Sequence, residues 1–189
     1  MENSKENGLF NLIKERVKKE RNRPKELDPI KKRNNIKKWC TFYRRNINLY
    51  ASRHLKIRLH PFQHIMLYLM GVSQVFFAIC SRGLSKSLIV ALYAICKCLL
   101  FPYSEVHLTA TTINQAKKMV KNKMEDELCC KLSPILKYYY DIGLIKFHYG
   151  KDEIRVDFLM NQSHIWVDPA DEQSRGNINL IYYNIILYD

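Results

Sequence analysis

The chain has 189 residues, of which 47% are hydrophobic, enough to bury one core, and its few Gly and Pro exclude a fibrous or low-complexity protein. Its net charge of +13 is uneven: residues 1–60 carry 18 Lys and Arg against 6 Asp and Glu, whereas residues 61–189 carry 13 against 12. A basic arm on a nearly neutral domain points to a polyanionic partner, either nucleic acid or an acidic membrane surface, or else to a solvated helical tail.

In chain order, residues 1–50 read as polar and helical, punctuated by Pro24 and Pro29. The composition shifts near Leu59, which places a domain boundary between an arm, 1–58, and a domain, 59–189. His60-Pro61-Phe62-Gln63 opens a helix, with Pro61 suited to the first turn. Gln74 to Ile79 is β-branched and aromatic and predicts a short buried strand, Ser81 to Ser87 a loop, and Leu88 to Leu100 a helix that is apolar all round. Glu105 to Thr109 reads as a strand and Ile113 to Leu128 as a helix with one polar face. Leu144–Tyr149 and Ile154–Phe158 flank a hairpin turn, Ile165–Val167 extends that excursion, and Ile181–Tyr188 reads as a strand buried in a parallel sheet. The order of elements predicts an α/β sandwich built from right-handed crossovers.

The cysteines, Cys40, Cys80, Cys96, Cys98, Cys129 and Cys130, lack the spacing of a zinc site or a disulfide framework and are expected to be reduced thiols. No secretory signal is visible at the amino terminus, which fits a cytoplasmic protein. Two uncharged or nearly uncharged runs, His64 to Ser81 and Leu88 to Phe101, leave open a membrane hairpin. Gly71, Ser73 and Gln74 break the first run, which argues against it.

The residues that bear on chemistry begin with Ser81-Arg82-Gly83-Leu84-Ser85-Lys86-Ser87 at a strand-to-helix junction. A triphosphate needs backbone N–H groups curled round its oxygens, a lysine on the β- and γ-phosphates, and a hydroxyl on Mg²⁺. Lys86 and Ser87 stand in the last two places of the pattern G-x-x-x-x-G-K-[ST], while Cys80 and Ser85 stand where it has glycine. The ordinary alternative is that Ser-Lys-Ser simply caps a helix. Asp189, after the apolar strand, can hold Mg²⁺ through water, or can be a turn residue that ends a strand. Gln63 can pair with an adenine edge or lie unremarked on the surface. Thr109-Ala110-Thr111-Thr112 before Asn114-Gln115-Ala116 is a small-residue strand exit into a helix cap, and Arg175 in Ser174-Arg175-Gly176 can reach a phosphate or belong to an ordinary loop dipeptide.

Taken in order, HPFQ, CSRGLSKS, LTATTINQA, SRG and IILYD resemble the ATPase domain of the large terminase subunit of tailed bacteriophages, over about residues 55–189. The resemblance implies a P-loop ATPase of the RecA-like (ASCE) branch: a three-layer sandwich with a mostly parallel sheet, a small antiparallel insert and a basic helical amino-terminal arm. It implies Gln63 as the adenine reader, Cys80 to Ser87 as the phosphate loop, Ser81, Arg82, Gly83, Leu84 and Ser85 lining it, Lys86 on the β/γ-phosphates, and Ser87 and Asp189 on Mg²⁺. The cofactors implied are ATP and Mg²⁺. The partners implied are double-stranded DNA, the small terminase subunit and the portal or procapsid, with a homo-oligomeric ring in the host cytoplasm and no membrane. The family's catalytic glutamate, coupling motif and nuclease domain would follow Asp189, so a truncated chain is expected, one that binds nucleotide more readily than it hydrolyses it. Another P-loop translocase or helicase, the membrane hairpin, and a non-catalytic nucleic-acid-binding protein are the competing readings.

Overall fold

The computed structural model describes residues 28–78, 83–110, 113–150, 154–169 and 182–186. The chain divides into two compact units, residues 1–38 and 39–189. The basic composition of 47–58 conceals an apolar face. Arg53, Lys56 and Arg58 are solvent-facing or nearly so, while Ile47, Ala51, Leu55 and Ile57 between them enter the core.

Helix α1, Pro29–Arg45, has no buried residue. Asp28 starts it by accepting a hydrogen bond from the Ile30 N–H at 3.1 Å. A helical turn at Ile47–Leu49 runs into a wider i→i+5 turn at Tyr50–His54. Helix α2, Pro61–Val72, begins where the proline predicted it. Helix α3, Lys86–Leu100, is buried from Ile89 to Cys98 without a break, as its all-round apolar sequence requires. Lys97 is part of that run, with its ammonium 4.5 Å from the centre of the Phe101 ring. Strand β1, Glu105–Ala110, follows, then helix α4, Ile113–Lys118, which widens into an i→i+5 helix over Met119–Leu132. Helix α5, Pro134–Asp141, leads to β2, Ile145–Tyr149, β3, Ile154–Phe158, β4, Ser163–Pro169, and β5, Tyr182–Ile186.

Gln74 to Ile79 departs from expectation. Among its described residues, 74–78, there is no strand: Val75 is 88% and Phe77 78% exposed, and only Phe76 packs against the core. β-branched and aromatic composition favours a strand only where a neighbouring ladder receives it, and no described strand pairs with this segment.

The five strands lie in the order β2-β3-β4-β1-β5. β1 runs parallel to both β4 and β5, and the β2-β3-β4 excursion is antiparallel. The parallel and antiparallel pairings are thus equal in number among the described residues. Ile165–Val167 is the centre of β4, which ends the antiparallel excursion and joins it to β1. The register sets Val106, Leu108, Ile165, Val167, Val156 and Ile145 on one face, all buried, and α3 packs against β1 and β4. His164, Asp157, Arg155 and His148 alternate with them on the other face.

Cys96, Cys98 and Cys129 are free and buried. Burial pushes the Cys98 thiol up to about 12, so it packs as a small apolar group rather than reacting. No helix of the described residues is long and apolar enough to cross a membrane: the run from His64 divides where α2 ends at Val72, and α3 spans 15 residues.

Two polar sites tie the layers together. Ser133 caps α5 by accepting from the Leu136 N–H at 3.2 Å and donates to the Leu55 carbonyl at 2.6 Å, across 78 residues of sequence. Replacing it with alanine removes a cap and strands a buried carbonyl, so Ser133→Ala should cost about 1–3 kcal/mol by urea unfolding. On the polar face of the sheet, Asp157 meets His164 Nδ1 at 2.7 Å, Arg155 Nε at 2.9 Å and His148 Nε2 at 3.0 Å. Burial raises the Asp157 pKa, but the His164 hydrogen bond and the charges of Arg155, His164 and His148 outweigh it and hold the carboxyl below its usual 3.8. A carboxylate with a depressed folded pKa stabilises above its unfolded value, and that contribution disappears as pH falls through the folded one. Asp157→Asn should therefore cost about 1–3 kcal/mol at pH 5, with the difference from the native chain narrowing towards pH 3 in parallel unfolding titrations.

Candidate nucleotide-binding site

The candidate loop meets α3 in an unusual backbone. Gly83 has φ +89° and Ser85 φ +52°, both left-handed, and Lys86 is the first helical residue. Nothing lies within 4 Å of the position a Cβ would take on Gly83, so glycine is required there by its dihedral and not by crowding. The helix ladder begins with the Ile89 N–H bonded to the Ser85 carbonyl at 3.1 Å.

A capping serine has extended dihedrals and accepts a hydrogen bond on its side-chain oxygen from the second or third helical N–H. Ser85 does neither: its φ is positive and its hydroxyl makes no cap bond among the described residues. The ordinary explanation of Ser-Lys-Ser as a helix cap is therefore contradicted by the dihedral. Ser85 instead adopts a left-handed conformation, which glycine would take without steric cost. The first-turn amides of α3 are left uncapped by it at the positive end of a 15-residue helix. Lys86 and Ser87 occupy the first two helical positions and are half-buried, and Leu84 and Gly83 are exposed.

The direction of α3 follows from its other end. Phe101 to Ser104 join it to β1 in one short turn, the Ser163 hydroxyl donates to the Phe101 carbonyl at 2.9 Å, and Cys98 Sγ lies 3.6 Å from the His164 carbonyl. The carboxyl end of the helix thus lies at the amino ends of β1 and β4. Fifteen helical residues span about 22 Å and the six of β1 about 20 Å. Packed against β1 and β4, α3 begins at Lys86, about 22 Å along its axis from that pinned end.

Gln63 lies in α2, which packs on α3 through a buried hydrogen bond from the Tyr93 hydroxyl to the Met70 carbonyl at 2.8 Å. The Gln63 side chain is buried, and its Oε1 accepts from the His60 N–H at 2.9 Å. That oxygen caps α2, a role the sequence reading did not assign to it. Gly71 lets α2 approach closely: a Cβ there would sit 3.3 Å from Ile47 Cδ1.

Ser81, Arg82 and Asp189 lie outside the described residues, as do Cys80, Thr111, Thr112 and Ser174 to Gly176. Of the pair expected at Mg²⁺, only Ser87 is described, and among the described residues no group of three or more His, Cys, Asp or Glu could hold a metal ion. The Asp157 cluster went unnoticed in the sequence. Its signal was the alternation in Ile154–Phe158 and Ser163–Val167, which puts Arg155, Asp157, His164 and Trp166 on one face.

Among solved structures, the chain is similar to the large terminase ATPase domain of Thermus phage P74-26, with 15% sequence identity and a TM-score of 0.51. The match covers 71% of this chain and 55% of that one, so the chain spans about half the length of the phage domain. At this identity the likeness is one of fold: a mixed α/β sheet with helices of the terminase ATPase type. No protein-family profile and no curated protein sequence matches the chain.

The left-handed Ser85 makes a sharp forecast. A non-glycine residue there costs about 1–2 kcal/mol, and glycine returns part of this as added freedom of the unfolded chain. Ser85→Gly should raise the stability by about 0.5–1 kcal/mol, and Ser85→Val should lower it by more than about 1 kcal/mol, in denaturant titrations of the two variants.

Proposed function

We propose that this chain binds a nucleoside triphosphate at the start of α3 and belongs to a terminase-type ATPase that drives DNA into a viral procapsid. The observation that carries the reading is the uncapped, left-handed entry into α3 immediately before Lys86 and Ser87. The likeness of fold to a large terminase ATPase domain supports it, as does the order of the sequence motifs.

In this reading the loop N–H groups and the positive end of α3 cradle phosphate oxygens, and Lys86 neutralises the β- and γ-phosphates. Ser87 and Asp189 are the residues that would hold Mg²⁺, which when bound offsets phosphate charge. The Lys86 ammonium also orients the terminal phosphate for in-line attack by water. Gln63 is proposed at the adenine edge, through the part of its amide not engaged at His60. Double-stranded DNA, the small terminase subunit, the portal or procapsid, a homo-oligomeric ring and the host cytoplasm are further parts of the same proposal.

Lys86→Ala tests it directly. A charge-assisted contact contributes about 1.5–3 kcal/mol, so fluorescent ATP-analogue titration should show affinity weakened roughly 10- to 150-fold. The unfolding free energy should change by no more than about 0.5 kcal/mol, because a half-buried first-turn lysine contributes little packing. Native affinity in a folded Lys86→Ala chain refutes the assignment.

A further inference from the structure

We propose that the opening turns of α1 are a docking surface for the phosphate backbone of double-stranded nucleic acid, formed by Lys31, Arg33, Lys37 and Lys38. The proposal deepens the reading above by naming the surface that would meet its polyanion, but it does not need a nucleotide at Lys86. From Pro29 to Lys38 there are five basic residues and no acidic one, and every residue from 28 to 38 is exposed. Asp28, the carboxylate next to the segment among the described residues, is engaged at the helix start with the Ile30 N–H.

At about 100° per residue, Arg33 and Lys37 fall on one flank of an arc of roughly 160°, and Lys31 and Lys38 on the other. Asn34, a further hydrogen-bond donor, and the exposed Ile30 lie between the flanks, and of the five basic residues only Lys32 points away. The four charges extend over about 10 Å of helix axis. A duplex presents one negative charge per about 1.7 Å of its own axis, so it can engage all four together.

Two features of the same segment select among polyanions. Single-stranded nucleic acid is held largely by aromatic stacking, and residues 28–38 contain no aromatic side chain. A bilayer-surface helix needs a continuous apolar face, whereas here the two isoleucines, Ile30 and Ile36, stand about 120° apart with charge between them. Duplex phosphate is the chemistry that remains. Such contacts position a duplex without reading its sequence.

The test uses the full chain, a fluorescein-labelled 30-base-pair duplex, and a variant with Lys31, Arg33, Lys37 and Lys38 all changed to glutamine, which preserves helix propensity. Each phosphate contact contributes about −0.9 to the slope of log affinity against log salt, so four contribute about −3.6, or roughly 150-fold between 50 and 200 mM salt. Anisotropy titrations should therefore show the variant's slope shallower by about 3 to 4 and its affinity at 50 mM salt at least about tenfold weaker, with unchanged far-ultraviolet circular dichroism. Equal slopes for the two proteins overturn the proposal. So does tighter binding to a single strand of equal charge, or capture by vesicles containing phosphatidylserine that matches duplex affinity and is lost in the variant. Lys86→Ala should keep native duplex affinity, so failure of the nucleotide reading and failure of this one give different results.

Discussion

Burial of α3 on nearly all sides is the constraint from which the rest of the domain follows. A helix with residues Ile89 to Cys98 enclosed can neither rotate nor slide without exposing apolar surface, and each buried Leu or Ile contributes about 1.5–3 kcal/mol to holding it. Its carboxyl end is pinned at the amino ends of β1 and β4 by Ser163 and Cys98, and its amino half is held to α2 through Tyr93 and Met70. The start of the helix, with Lys86 and Ser87, is therefore a fixed point on an otherwise exposed loop. A rigid element that presents an exposed backbone is the arrangement that binding loops require.

Much of this could be read directly from the residues. The all-round apolar run 88–100, the alternating β3, the proline start of α2 and the hairpin of β2 and β3 were each legible, because burial and turn chemistry leave local marks. Four features were not legible. The segment 74–78 has strand composition but no ladder to join, and pairing is not local information. Residues 47–57 read as part of a basic arm because charge counts hide which side of a helix the charges occupy. Ser85 reads as a cap from its neighbours, and its positive φ is a property of the folded loop that composition does not carry. Gln63 was assigned to adenine from motif order, while its carbonyl oxygen is committed to the start of α2. Asp189, the other half of the proposed metal pair, lies outside the described residues.

Charge is separated from shape in this chain. Residues 61–189, which hold the sheet, are nearly neutral and meet charges in compact groups such as Asp157 with His148, Arg155 and His164. The basic excess lies in the amino-terminal 60 residues, and the opening turns of α1, residues 29–38, are exposed. A nucleotide site on the body and a polyanion surface on α1 can each lose function alone, which makes the two readings separable by experiment.

The central claim is that the backbone from Gly83 to Ser87 is a preformed anion cradle, and amide spectroscopy addresses it directly. In a heteronuclear NMR titration of the full chain with magnesium and a non-hydrolysable ATP analogue, the account predicts saturable shifts led by the Gly83, Ser85, Lys86 and Ser87 amides. Saturation elsewhere in the spectrum with those four resonances unmoved would contradict it.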